Sequence, residues 1–183
     1  MKPTEIRPGL YRWTAPHPDY EPDPEPGSPA DWPEQVGCVA YEAPDALVLI
    51  DPLVPDQLWP ALDGLAEGRP VVVLTTINFH RRSRQAVVER YGAGTSPAKK
   101  NLPRGIEAIS IPRAGETMFW ILEHAALVPG DRILGGDGGL RLCPESWLGY
   151  LPSGITRDEL REAVRPCLSF RSSSYSSRMA SPC

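Results

Sequence analysis

The sequence predicts a layered α/β fold, and three observations carry that expectation. Leu47-Val48-Leu49-Ile50 is an entirely apolar strand that ends on Asp51-Pro52. Val71-Val72-Val73-Leu74 is a second, β-branched strand that runs into the polar turn Thr75-Thr76-Ile77-Asn78-Phe79-His80-Arg81-Arg82-Ser83. A helical pattern follows each of them, and strands alternating with helices are how a sheet acquires a covering layer. The carboxyl end of the second strand is therefore the place to look for a site.

Length and composition set the bounds. At 183 residues, 41% hydrophobic and 23% charged, the chain has material for one domain with a sizeable core. A net charge of −4 and a pI near 5.4 argue against a nucleic-acid surface, which needs a cationic excess. No window approaches the roughly 20 apolar residues of a membrane span, and Met1-Lys2-Pro3-Thr4-Glu5 lacks the apolar core of a signal peptide. A cytoplasmic protein with neither a nucleic-acid nor a membrane partner is expected; the oligomeric state is left open. Cys38, Cys143, Cys167 and Cys183 are too scattered for a zinc ribbon and read as thiols without a shared role.

Taken in order, Ile6 to Thr14 alternates bulky and polar residues around Pro8-Gly9, as a short edge strand does. Residues 15–33 form an irregular loop crowded with prolines and acidic residues, and its His17 reads as an exposed loop residue. Val36 to Tyr41 and Leu47 to Ile50 make a hairpin through Ala43-Pro44-Asp45-Ala46. Asp51, at the end of a buried strand, is expected to take hydrogen bonds from loop amides. Leu58, Leu62 and Leu65 mark a helix that begins near Pro60 and stops at Gly68. Arg84 to Tyr91 is the next helix, ended at Gly92 and Gly94.

Ala98 to Arg104 reads as a solvated basic connector, and Ile106 to Ile111 as a strand. Glu116 to Leu122 and Ala125 to Val128 make a hairpin whose turn, Glu123-His124, carries an exposed His. Gly135-Gly136-Asp137-Gly138-Gly139 lacks the Lys-Ser/Thr of a phosphate loop and the dinucleotide spacing, and reads as a flexible loop. Thr156 to Val164 is the clearest helix, with Thr156 as N-cap and Glu159 at capping-box distance. After Pro166 the Ser-rich segment has neither apolar period nor caps, so the domain is set at 1–167 and the tail at 168–183.

Together these pieces resemble the metallo-β-lactamase superfamily, over roughly Leu10 to Cys167. Leu47 to Pro52 is similar to the family's first motif, whose Asp orients the metal site. The strand and turn up to Ser83 resemble the second, H-x-H-x-D-H, and Phe119 to Asp131 resembles the hairpin that delivers a metal-bridging Asp. The resemblance implies a four-layer αββα sandwich, C-terminally incomplete, with Asp51, His80 and Asp131 as catalytic residues and His80 and Asp131 as metal ligands.

The family pattern is degraded here. Asn78 stands for the first His, Arg82 for the Asp and Ser83 for the last His, and no imidazole lies near Ile111-Pro112 where the next is expected. Catalytic zinc takes three protein ligands plus a water whose pKa falls to about 7, so zinc is expected weakly or not at all. Arg82 cannot coordinate, and an Arg82 pairing with Asp131 or Asp51 is expected in place of the metal.

The tail carries a separate expectation. Written in GC-rich codons from Leu168 and read two bases later, it yields Glu-Leu-Pro-Val-Glu-Leu-Val-Leu-Val-Thr-His-Gly-Glu-Pro-Val, similar to the family's last strand and last ligand His. Either a frameshift near Leu168 removed a core strand, or residues 168–183 are an ordinary disordered tail. Resequencing the gene distinguishes the two.

Three functional readings follow. The first is a metal-dependent hydrolase of an ester, thioester or phosphoester. The second is a non-catalytic binding domain that grips a small anionic ligand through Asn78, His80, Arg82 and Ser83, since Arg suits bidentate anion recognition. The third is an inactive truncated copy. A metal-free nucleophile at Ser83 or Cys143 ranks below these, because spacing alone does not assemble a triad.

Overall fold

The structure, a computed structural model, describes residues 1–95, 101–136 and 139–168. Its larger sheet has six strands in sequence order: β1 (Thr4–Arg7), β2 (Leu10–Pro16), β3 (Gln35–Ala43), β4 (Ala46–Ile50), β5 (Val71–Leu74) and β6 (Gly94–Thr95). β1 to β4 are antiparallel neighbours, whereas β4–β5 and β5–β6 are parallel. The switch follows from the connections, since a parallel pair needs a crossover and helices α1 (Trp59–Ala66) and α2 (Arg84–Tyr91) supply it. α1 is entered through a short 3-10 turn at Asp56–Leu58, with Pro60 in its first turn, where no amide hydrogen is needed. α2 ends at Gly92, whose φ of 61° closes the helix in the left-handed conformation.

β4 is buried along its whole length because both of its faces are covered. Leu47 and Leu49 pack with Leu58, Leu62, Val71 and Val87 under the two helices. Val48 and Ile50 face the other way, with Leu10, Tyr41 and Leu74, against Ile106, Phe119 and Ile121 of a second sheet. That sheet is the antiparallel set β7 (Ile106–Ile111), β8 (Glu116–Ile121) and β9 (Ala126–Val128). Beyond it, Ile111 and Met118 share a third cluster with Leu160, Val164 and Cys167 of α3 (Arg157–Leu168). The chain is thus mixed α/β, with several sheets and few helices.

The Thr156 capping box forms: the Thr156 amide donates to Glu159 Oε2 at 2.9 Å and the Glu159 amide to Thr156 Oγ1 at 3.3 Å. α3 runs on past Val164 through Pro166, because Leu160, Val164 and Cys167 keep one buried stripe that outweighs the proline's missing bond.

Four expectations change. Ile6 to Thr14 holds two strands, not one, since Pro8-Gly9 is a hairpin turn. The glycine-rich segment is not merely a loop: β10 (Ile133–Gly136) pairs antiparallel with β11 (Gly139–Leu142), the alternation of Ile133, Leu140 and Leu142 around it having been obscured by the glycines. His124 is 6% exposed, not on the surface, because its ring stands edge-on to Tyr41 at 5.5 Å and its carbonyl accepts from Arg7. His17 is half-buried, its ring 5.2 Å from that of Trp32. Part of the basic connector, at 96–100, and the Ser-rich segment from 169 onward lie outside the described residues. Cys38, Cys143 and Cys167 are buried free thiols.

Candidate functional site

Asp51 leaves β4 with φ 48°, and Arg82 closes the turn after β5 with φ 39° and ψ −123°. Such conformations cost a non-glycine residue on the order of 1–3 kcal/mol each and persist where the surroundings over-determine them. Here the Asp51 amide donates to Leu74 O at 3.0 Å, and the Ser83 amide to Pro52 O at 2.9 Å. These two bonds tie the ends of β4 and β5 together and turn both polar segments toward one point.

At that point stands His80. Its Nδ1 is 2.9 Å from Asp51 Oδ2 and its Nε2 is 3.1 Å from Asp131 Oδ1. With both carboxylates ionised, the ring satisfies both contacts when it is doubly protonated. Burial pulls its pKa down, but the hydrogen bonds and charges of Asp131 and Asp51 outweigh burial and raise it to about 9. For Asp131, burial works upward and is outweighed by His80 and the nearby Arg132 and Arg82, which hold its carboxyl below the usual range.

Two residues that sequence reasoning missed hold this cluster in place. Thr76, 3% exposed, donates its amide to Asp51 Oδ1 at 2.9 Å and its hydroxyl to Asp51 Oδ2. Glu116, 2% exposed, accepts the amides of Gly130, Asp131 and Arg132 at 2.9, 3.0 and 2.9 Å, and so aims the loop that carries Asp131. Burial raises the Glu116 pKa, against the pull of those amides and of Arg132. Gly130 is required between them: a Cβ there would lie 2.6 Å from Thr76 Oγ1. The one available sequence signal was position, a Thr at the end of a buried strand and a Glu at the start of another.

The structure thus brings Asp51, His80 and Asp131 together and distributes the other named residues differently. Arg82 does not pair with either carboxylate. Its Nη1 donates to the backbone carbonyls of Asp51 at 2.9 Å and Gly37 at 3.1 Å and lies 3.8 Å from Cys38 Sγ, because the strained backbone turns the side chain back over β3. Ser83 Oγ accepts the Val54 amide at 2.8 Å, a structural task. Asn78 is exposed and lines a cleft of about 690 Å³ together with Arg81, Arg82, Arg84, Gln85 and Thr117. The cleft opens between the end of β5, the first turn of α2 and the start of β8, where an isolated bridge joins Ile77 to Glu116. His17 of the Pro-rich loop lies near enough to feel the charges of Arg82, His80 and Asp131. Burial, with the positive charges of Arg82 and His80, lowers the His17 pKa against the opposing pull of Asp19 and Asp131.

The donor set does not fit a catalytic zinc. His80 and Asp131 are two ligands where three are needed, and Asp51 sits behind His80 on Nδ1. Among the described residues no group of three or more His, Cys, Asp or Glu side chains is placed to hold a metal ion. Among them also, no helix is long and apolar enough to cross a membrane.

No protein-family model matches the chain, and no curated protein does. Among solved structures, the chain is similar to the crystal structure of a metallo-beta-lactamase family protein from Thermus thermophilus. The two are 16% identical with a TM-score of 0.43, over 91% of this chain and 71% of that one.

Proposed function

We propose that the chain is a metallo-β-lactamase-like αββα domain that has lost zinc hydrolysis and serves as a binding domain for a small anionic ligand. The order of the three motifs supports the family reading, and so does the succession of helices, sheet, sheet and helix marked by the three cores. The observation that carries the loss of hydrolysis is His80, whose two ring nitrogens both face carboxylate oxygens. An imidazole must offer a lone pair to bind a metal, and here it supplies the positive charge between Asp51 and Asp131 itself. The cleft beside it carries Arg81, Arg82 and Arg84 and, among the described residues, is lined by no carboxylate, which favours an anion.

Zinc titration with thermal unfolding tests this reading. A ligand that binds only the native state must raise its stability, so no shift is expected at high zinc, and purified protein should carry far less than one zinc per chain. Stoichiometric zinc that is lost in His80→Ala would overturn the proposal and restore the metal-dependent hydrolase.

A further inference from the structure

We infer that the cleft is a phosphate-monoester site whose anion is held by Arg81 and Arg84, not by Arg82 and His80. This rests on the anion-binding reading above and goes beyond it in assigning both the ligand class and the residues.

Accessibility of charge separates the two sets of residues. The His80 imidazole is committed to Asp51 and Asp131, and Arg82 is anchored through Nη1 by the carbonyls of Asp51 and Gly37. Among the described residues, neither Arg81 nor Arg84 has a carboxylate partner, and both border the cleft. They lie three residues apart at the entrance to α2 and line the same cleft, which offers both to a single anion.

The walls then select the anion. Asn78, Gln85, Thr75 and Thr117 add neutral donors, and among the described residues no wall residue is an acceptor-only carboxylate. Among the described residues, three lining cations with no lining anion suit a ligand of two negative charges better than one. A phosphate monoester carries about that charge at neutral pH and offers three terminal oxygens to several donors at once, where a carboxylate offers two oxygens and one charge. A cavity of about 690 Å³ is far larger than a phosphate ion and falls in the size class of sites for small organic molecules. Val73 and Val88 supply apolar wall for the organic part of the ester. Binding alone is proposed, with no bond made or broken.

The test uses the full chain, with inorganic phosphate as probe and acetate as comparison, by isothermal titration at low salt and by amide chemical-shift mapping on the unaltered protein. Phosphate should bind at least about tenfold more tightly than acetate, and Arg81→Gln and Arg84→Gln should each weaken phosphate about tenfold. Shifts should centre on Arg84, Gln85 and Thr117, a readout that stands even where a variant fails to fold. Phosphate binding no tighter than acetate, or untouched by both substitutions, or mapping away from α2, overturns this inference and leaves the anion-binding reading standing. Failure of both anions to bind overturns the inference and that reading together.

Discussion

His80 and Arg84 lie one helical turn apart in sequence, yet they stand in opposite electrostatic situations. His80 is drawn into the junction of the two sheets, where Asp51 and Asp131 close on both its nitrogens and Thr76 and Glu116 fix the carboxylates in turn. Arg84 stays at the rim of the cleft with no acid beside it among the described residues. The difference teaches that a charge serves either the fold or a ligand according to what is already paired with it. The imidazole is used up by internal neutralisation, while the guanidiniums at the rim remain available to an outside anion.

The strongest way to break this contrast is to remove the imidazole. His80→Ala leaves buried Asp51 with Thr76 as its remaining side-chain partner among the described residues and should lower the unfolding free energy by about 3 kcal/mol, read by urea denaturation. A loss under about 1 kcal/mol would mean that the cluster contributes little to stability. The substitution should leave phosphate binding at the cleft within about twofold, since the anion is held by uninvolved side chains.

pH sharpens the same contrast. Because the folded pKa of His80 is raised to about 9 from an ordinary 6.5, the folded state binds the proton more tightly than the unfolded chain. Its contribution is therefore fully present below about pH 6.5 and is lost as pH rises through about 9, an effect on the order of 3 kcal/mol. Asp131, held below its ordinary range, works in the other direction, its contribution fading as pH falls into the acid range. Denaturation curves from pH 6 to 10 should show the alkaline decline in the native sequence and not in His80→Asn. An alkaline limb that persists in the variant would assign the decline to other groups.

The smallest expected effect tests the support of the cluster. Gly130→Ala places a methyl against Thr76 and the Glu116 carboxylate, so the loop must move. We expect about 1–2 kcal/mol of destabilisation from overpacking, together with a fall in the His80 pKa, followed by NMR, as Asp131 is pushed away. A stability loss with an unchanged His80 pKa would mean that Asp131 follows His80 without help from this packing.

Much of the fold was legible in the sequence because its signals are local. The run Leu47 to Ile50 announced a strand covered on both faces, Gly92 announced the end of α2, and Thr156 with Glu159 announced the start of α3. The hairpin of β10 and β11 was hidden because its glycines carry no side chains to show a period, and the pairing of backbones does not depend on them. His124 was misread because its burial depends on Tyr41, a residue far away in sequence.

The site divides the same way. The sequence alone determined that Asp51 and His80 follow buried strands and that Asn78, Arg82 and Ser83 surround His80, since residue identity and strand ends are local facts. Only the tertiary structure decided that Arg82 turns to backbone carbonyls and not to a carboxylate, that Thr76 and Glu116 hold the cluster, and that Arg81 and Arg84 border the cleft without a carboxylate partner among the described residues. Those outcomes depend on which groups approach within hydrogen-bonding distance across two sheets, and the spacing of residues along one chain does not encode that approach.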